Sequence, residues 1–258
     1  MNQAARPEPQ RLAKRLANQL PCSRSDAESY IAGGWVRVDG QVVEEPMARV
    51  HDAQVVTLDA KAKLESLDAV TLIWHKPSGQ ALPDGEIVPD EWAGQLMTQA
   101  TRFKGDRSGV RTLKAHLHKL LSVAPMEPRD SGLMVFTQNV GVARKVSDTS
   151  SQIEHEWQVR IRGEAGLQDD AERRDAIIQS LQKTVFFDGW ALPKAKASWQ
   201  SELRLRMAIK GAVPGQVVHL CKRAGVQITG MERMRLGRIG LAGLPVGEWR
   251  YLLGYERF

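Results

Sequence analysis

Asp39-Gly40 sits between two short apolar alternations, Val36-Arg37-Val38 before it and Val42-Val43 after it. A two-residue connection needs positive φ at both central positions. Asp-Gly tolerates this and selects a type I′ β-hairpin. What precedes the hairpin narrows the choice of fold further. Leu12, Leu16 and Leu20 recur at i, i+4, i+8, which predicts a helix over residues 11–20 that Pro21 ends. Arg11, Lys14 and Arg15 fall around this stripe on its wetter side. Ser25 and Glu28 match a capping box, the serine accepting from the N–H three residues on and the glutamate reaching back. That second helix stops at Gly33-Gly34. His51 to Leu58 closes as another short strand. Residues 10–59 therefore predict two small helices and a small sheet. Residues 1–9, polar and rich in proline, predict a frayed tail.

Residues 60–68 are charged, lack a strand pattern and predict a linker. Beyond them, residues 69–74 read as a buried strand running into His75-Lys76-Pro77-Ser78-Gly79. Residues 133–137 form a second apolar run after Gly132. Residues 157–161 and 204–209 alternate as third and fourth strands, and residues 216–224 read as a helix ending at Gly225. Strands interrupted by helices predict an α+β domain on a mostly antiparallel sheet over residues 69–258.

Composition narrows the function classes. The 258 residues are 42% apolar and 26% charged, which excludes collagen, long disorder and a disulfide scaffold. No apolar run reaches membrane-spanning length, and the first residues lack the apolar core of a signal peptide, so a cytoplasmic protein away from membranes is expected. Cys22 and Cys221 fit no metal spacing and are expected as free, packed thiols. The net charge of +6 is unevenly spread. Residues 102–119 carry six basic side chains against Asp106 alone, and residues 194–238 carry ten against Glu202 and Glu232. Clustered cations release counterions from a phosphate backbone, so RNA is the first partner expected; a solvated charged face is the plainer alternative.

Arg11-Leu12-Ala13-Lys14-Arg15-Leu16, Ser23-Arg24-Ser25-Asp26-Ala27 and Gly34-Trp35-Val36-Arg37-Val38-Asp39-Gly40 together resemble the S-four RNA-binding domain. The resemblance implies that Arg11, Lys14, Arg15, Arg24 and Arg37 line a face that meets RNA. Four more segments extend the likeness across residues 10–255. These are Lys76-Pro77-Ser78-Gly79, Ser131-Gly132-Leu133-Met134-Val135-Phe136-Thr137, Gln216-Val217, and the run from Arg238 to Arg250 containing Gly243-Leu244-Pro245-Val246-Gly247-Glu248-Trp249. The whole resembles the single-site rRNA pseudouridine synthases of the RsuA type. That family flips a uridine out of its RNA, and an aspartate carboxylate acts at the sugar while uracil is released, turned and reattached through carbon. The resemblance implies no cofactor and no metal. It also implies that Lys76, Arg129 and Gln216 face RNA, and that the partner is structured RNA, with rRNA and ribosome assembly intermediates first, bound by a monomer.

The chain departs from the family motif Gly-Arg-Leu-Asp-x-x-Thr-x-Gly-Leu. It reads Ala124-Pro125-Met126-Glu127-Pro128-Arg129-Asp130-Ser131-Gly132-Leu133. Glu127 stands in the aspartate position, Pro125 in the arginine position and Asp130 in the threonine position. In the next motif, Lys-x-Tyr-x-Val, His155 replaces lysine and Trp157 replaces the tyrosine that packs on the flipped base. A later asparagine and arginine are Pro214 and His219. The expectation is an RNA-binding protein with weak or no uridine isomerisation. The alternative is an active rRNA pseudouridine synthase that uses Glu127 or Asp130.

Overall fold

The computed structural model describes residues 8–64, 67–83, 86–163, 167, 169–187 and 190–258. Most of the expected tail, residues 1–7, and residues 65–66 of the expected linker lie outside the described residues. The chain forms two compact units, residues 1–69 with 111–118, and residues 70–110 with 119–258. The segment 111–118 was expected in the second unit and groups with the first.

The first unit contains β1 (Gln10–Arg11), α1 (Leu12–Gln19), α2 (Arg24–Ala32), β2 (Val36–Val38), β3 (Gln41–Val42), β4 (Arg49–Val50) and β5 (Val56–Leu58). Leu12 and Leu16 from α1, Ala27 and Ile31 from α2, and Val36, Val38 and Val50 from the strands share one core. Burying such side chains is worth about 1.5–3 kcal/mol each for the larger ones. The α2 cap differs from expectation. Ser23, not Ser25, is the N-cap; its hydroxyl accepts from Asp26 N at 3.0 Å, and the Asp26 carboxylate accepts from Ser23 N at 3.0 Å. The helix begins at Arg24, so Ser25 already lies in its first turn, and Glu28 pairs instead with Arg24, one turn back, at 3.4 Å. The hairpin turn forms as the sequence requires, with φ of 50° at Asp39 and 83° at Gly40. The Asp39 carboxylate also accepts from Val55 N at 2.9 Å and Gln54 Nε2 at 2.8 Å, which fixes the turn against the approach to β5.

The segment 111–118 completes this unit. The Arg111 guanidinium lies 3.8 Å from the centre of the Trp35 ring and donates to Gly34 O at 2.7 Å. Lys114 donates through its backbone N to the Glu44 carboxylate at 2.6 Å and through Nζ to Glu45 at 3.0 Å.

The second unit contains β6 (Thr71–Lys76), α3 (Asp90–Leu96), β7 (Leu121–Val123), β8 (Ser131–Thr137), α4 (Val140–Ser147), β9 (Glu154–Ile161), α5 (Ala171–Gln182), β10 (Phe186–Phe187), β11 (Trp190–Ala191), β12 (Ala195–Ser201), β13 (Arg204–Lys210), α6 (Gln216–Arg223), β14 (Ile228–Leu236), β15 (Ile239–Gly240) and β16 (Trp249–Tyr251). Nine strands form one sheet with the path β12-β13-β9-β14-β8-β6-β16, while β15 pairs with β14 and β7 with β8. The β14–β8 pair is parallel and the rest are antiparallel. This is the mixed, mostly antiparallel sheet expected of the α+β class.

Two local features set the site. Gly132 on β8 has φ of 113°, and a Cβ there would lie 2.4 Å from both N and O of Arg233 on β14. Only glycine lets the two backbones approach this closely. On β14, the pairing with β9 shifts register between Arg233, opposite Trp157, and Arg235, opposite Glu156. This β-bulge breaks the period of two, so residues two apart point to opposite faces of the sheet.

Candidate functional site

On one face of the β9–β14 region lies a cleft of about 270 Å³. Its floor is His155 and Trp157 from β9 with Met231 and Arg233 from β14. Its walls are the loop 124–130 and residues 212–218 at the start of α6. Asp130, Val218 and Met231 also line a neighbouring cavity of about 410 Å³ that runs toward Arg129 and Lys222.

The loop 124–130 is held from beneath by the Lys-Pro-x-Gly segment. Lys76 is fully buried, and its ammonium donates to Pro128 O at 2.8 Å, Asp130 O at 2.6 Å and Pro77 O at 3.2 Å. Gly79 N donates to Pro128 O at 2.8 Å, and Ser78 Oγ to Arg129 O at 2.7 Å. Lys76 is therefore a loop clamp and not the RNA-facing cation the sequence suggested. Three backbone carbonyls absorb its donors, and burial pushes its pKa down against the pull of Asp130.

Arg233 is the principal cation of the cleft. It is 1% exposed and donates from Nε to Leu133 O at 2.8 Å and from a terminal nitrogen to Ala124 O at 2.6 Å. Ala124 holds a φ of 51°, unusual for a residue with a side chain, where the resembled motif has glycine. The Arg233 guanidinium also lies 5.3 Å from the Trp157 ring centre. Burial lowers its pKa to about 9, partly offset by Asp130. Burial, with Arg233 nearby, lowers His155 to about 3, so that imidazole is neutral at physiological pH.

The two carboxylates of the loop differ. Asp130 is 4% exposed, and its pKa is raised, first by burial and then by Glu127, against the opposing pull of Arg129, Lys76 and Arg233. Glu127 is exposed at the rim of the same cleft. Trp157 is 8% exposed, a packed floor residue and not a bare ring. Gln216 is also corrected. It is 2% exposed, accepts from Val213 N at 3.2 Å and donates to Pro193 O at 2.6 Å, so its amide braces the α6 entry instead of meeting RNA. Arg129 remains exposed beside the cleft.

In the first unit, Arg11, Lys14, Arg24 and Arg37 are exposed. Arg15 is half-buried and pairs with Asp52 at 3.3 Å, and Arg37 donates to Gly40 O at 3.0 Å across its own hairpin. The two basic stretches are less available than their counts suggest. Arg102 pairs with Asp106 at 2.8 Å, Lys114 with Glu45, and Arg206 with Glu156 at 2.7 Å, while Arg233 is buried. Arg235 also pairs with Glu156, at 2.6 Å. Among the described residues no cluster of three His, Cys, Asp or Glu side chains could hold a metal ion. No helix there is long and apolar enough to cross a membrane.

Sequence reasoning missed Arg233, one of ten cations in a basic stretch. Its available signal was Gly132, which marks a close backbone approach without naming the strand that approaches.

A small helical module precedes a mixed sheet that bears a cleft over an Arg-Trp floor. Residues 10–56 match the S4 domain. The chain is 23% identical to the dual-specificity RNA pseudouridine synthase RluF of Salmonella typhi, over 95% of this chain and 76% of the relative. It is 27% identical to the ribosomal large subunit pseudouridine synthase B of Escherichia coli, over 94% of this chain and 79% of that one. A crystal structure of a pseudouridylate synthase shares the fold, with a TM-score of 0.52 at 16% identity over 94% of this chain and 95% of the other. The chain is thus similar over nearly its whole length to pseudouridine synthases, and its residues 10–56 carry an S4 domain.

Proposed function

We propose that this protein binds structured RNA, with rRNA and ribosome assembly intermediates as the expected targets, and performs weak or no uridine isomerisation. It does so as a monomer with a binding module over residues 10–59 that residues 111–118 complete, a linker over 60–68 and a synthase-type domain over the rest of 69–258. The observation that carries the reading is the split between the two loop carboxylates. The one in the family's aspartate position, Glu127, is exposed at the rim, while Asp130 is buried near Arg129, Lys76 and Arg233. A glutamate reaches about 1.5 Å further than an aspartate, and a misplacement of about 1 Å costs on the order of 100-fold in rate. Pro125 removes a cation beside that carboxylate. Trp157, packed under Arg233, leaves less bare ring for a flipped base than a free aromatic face would. The exposed cations Arg11, Lys14 and Arg24 support RNA binding, since each neutralised phosphate adds affinity that salt removes.

The test is tritium release from uridine-5-labelled rRNA, run beside filter binding of the same RNA. Wild type is expected to bind without release, and Glu127→Ala to bind equally well. Release by wild type that is lost in Glu127→Ala overturns the reading in favour of a glutamate enzyme. Release that survives Glu127→Ala and is lost in Asp130→Asn overturns it in favour of Asp130.

A further inference from the structure

The hairpin β10–β11 stands apart from the large sheet as its own two-stranded ribbon, with Phe186 opposite Ala191 and Phe187 opposite Trp190. Side chains alternate along a strand, so Phe186 and Trp190 point to opposite faces of the ribbon. Phe186 is 66% exposed and Trp190 is 81% exposed. A bare two-stranded ribbon is marginal in water, and exposing large aromatics on both faces adds nothing to its stability. Trp190 is as exposed as Tyr255, and in sequence it is flanked by lysines. Lys183 precedes the ribbon and Lys194 and Lys196 follow it, and all three are exposed. The base of the ribbon is anchored near the cleft. Leu192 N donates to Val185 O at 2.8 Å, and Pro193 O receives the Gln216 amide that braces the α6 entry.

We propose that this hairpin is a stacking platform for an unpaired RNA base, with Trp190 and Phe186 offering ring faces and the flanking lysines holding the adjoining phosphates. Ringed aromatics with interleaved cations suit single strands, because every base has a π face while a duplex keeps its own stacked. Three exposed lysines flank the ribbon in sequence against the single acid Asp188, which favours a polyanion over a neutral protein partner. The inference deepens the RNA-binding reading above and rests on it.

The test uses the full chain with two fluorescein-labelled probes, a single-stranded 12-nucleotide RNA and a 12-base-pair RNA duplex, and measures Kd by anisotropy. Trp190→Ala is expected to weaken single-strand binding about tenfold and duplex binding less than twofold. Trp190→Phe keeps most of the affinity. Against salt, Trp190→Ala leaves the slope of log K unchanged, while Lys194→Ala lowers it by about 0.7, the value for one phosphate contact on a single strand. Both positions are exposed, so an unchanged Tm accompanies each variant. Wild-type binding that Phe186→Ala with Trp190→Ala leaves intact overturns the platform and leaves the RNA-binding reading standing. No binding by wild type to either probe or to total rRNA overturns that reading and the platform with it. A change in self-association on sedimentation, with RNA affinity unmoved, overturns the platform in favour of a protein contact.

Discussion

Arg233 and Arg235 lie two positions apart on one strand and live in opposite surroundings. Arg233 is sealed on the cleft face, with backbone carbonyls as partners and its pKa lowered to about 9 by burial. Arg235 is on the outer face, bonded to Glu154 and Glu156, with its pKa raised by those hydrogen bonds. The same residue type on the same strand is held by backbone carbonyls on one side and is a member of an ion-pair network on the other. The bulge between them makes the difference. In a regular strand both arginines would share a face. What this teaches is that a basic stretch is not one electrostatic object: its cations are divided between faces by backbone register, and register leaves no mark on composition.

The contrast can be broken at its seat. Gly132→Ala forces a Cβ to 2.4 Å from the Arg233 backbone at a φ that disfavours side chains. It should cost about 4 kcal/mol or more, or prevent folding, by thermal denaturation. Next in size, Arg233→Met leaves the buried Leu133 O and Ala124 O without their side-chain donors, for about 2–4 kcal/mol. Arg235→Met, partly exposed, should cost only about 1 kcal/mol. Equal losses for the two in urea unfolding would dissolve the distinction between the faces.

A pH titration sharpens it. His155 on the cleft face is a base whose folded pKa, about 3, lies below its ordinary 6.5. The unfolded chain takes up that proton first, so stability falls as pH drops from about 6.5 toward 3. Glu156 on the outer face is an acid lowered from 4.5 to about 2, first by the Arg206 hydrogen bond. Its contribution is complete above 4.5 and is lost as pH falls toward 2. Glu156→Gln should flatten only the lower part of the Tm–pH curve and His155→Phe the part above it; one shared inflection abolished by either change would refute the assignment. The smallest effect is expected at the rim. Glu127→Ala should move stability by less than about 0.5 kcal/mol, as for an exposed side chain away from any special feature.

Much of the frame was legible. The Leu12–Leu16 stripe, the Asp39-Gly40 turn and the alternation around Trp157 and Arg204 report local periodicity, and each appears as a helix, hairpin or strand. β14 was not legible, because its bulge interrupts the alternation and its charges mask the buried positions. The cap of α2 shifted by two residues because aspartate at the third helical position serves as well as the glutamate expected. In the site, Lys76 and Gln216 were recognised as notable but assigned to RNA. Sequence shows which polar groups exist and not which carbonyls wait for them. Arg233 could not be told from nine other cations, since burial is a property of the fold. The placement of Glu127 and Asp130 on one loop was legible; that the loop buries one and exposes the other was not.

The inclusion of residues 111–118 in the first unit bears on how this module can be handled as a part. The recognisable domain signature ends at residue 56, but the physical body does not. A fragment cut near residue 59 would lose the guanidinium lid on Trp35 and the Arg111 donor to Gly34 O. Its indole would meet solvent where the full chain keeps it roofed. A graft of this module onto another protein would therefore need a borrowed patch of sequence from far downstream, and shuffling by simple fusion at its apparent border would yield an unfinished piece.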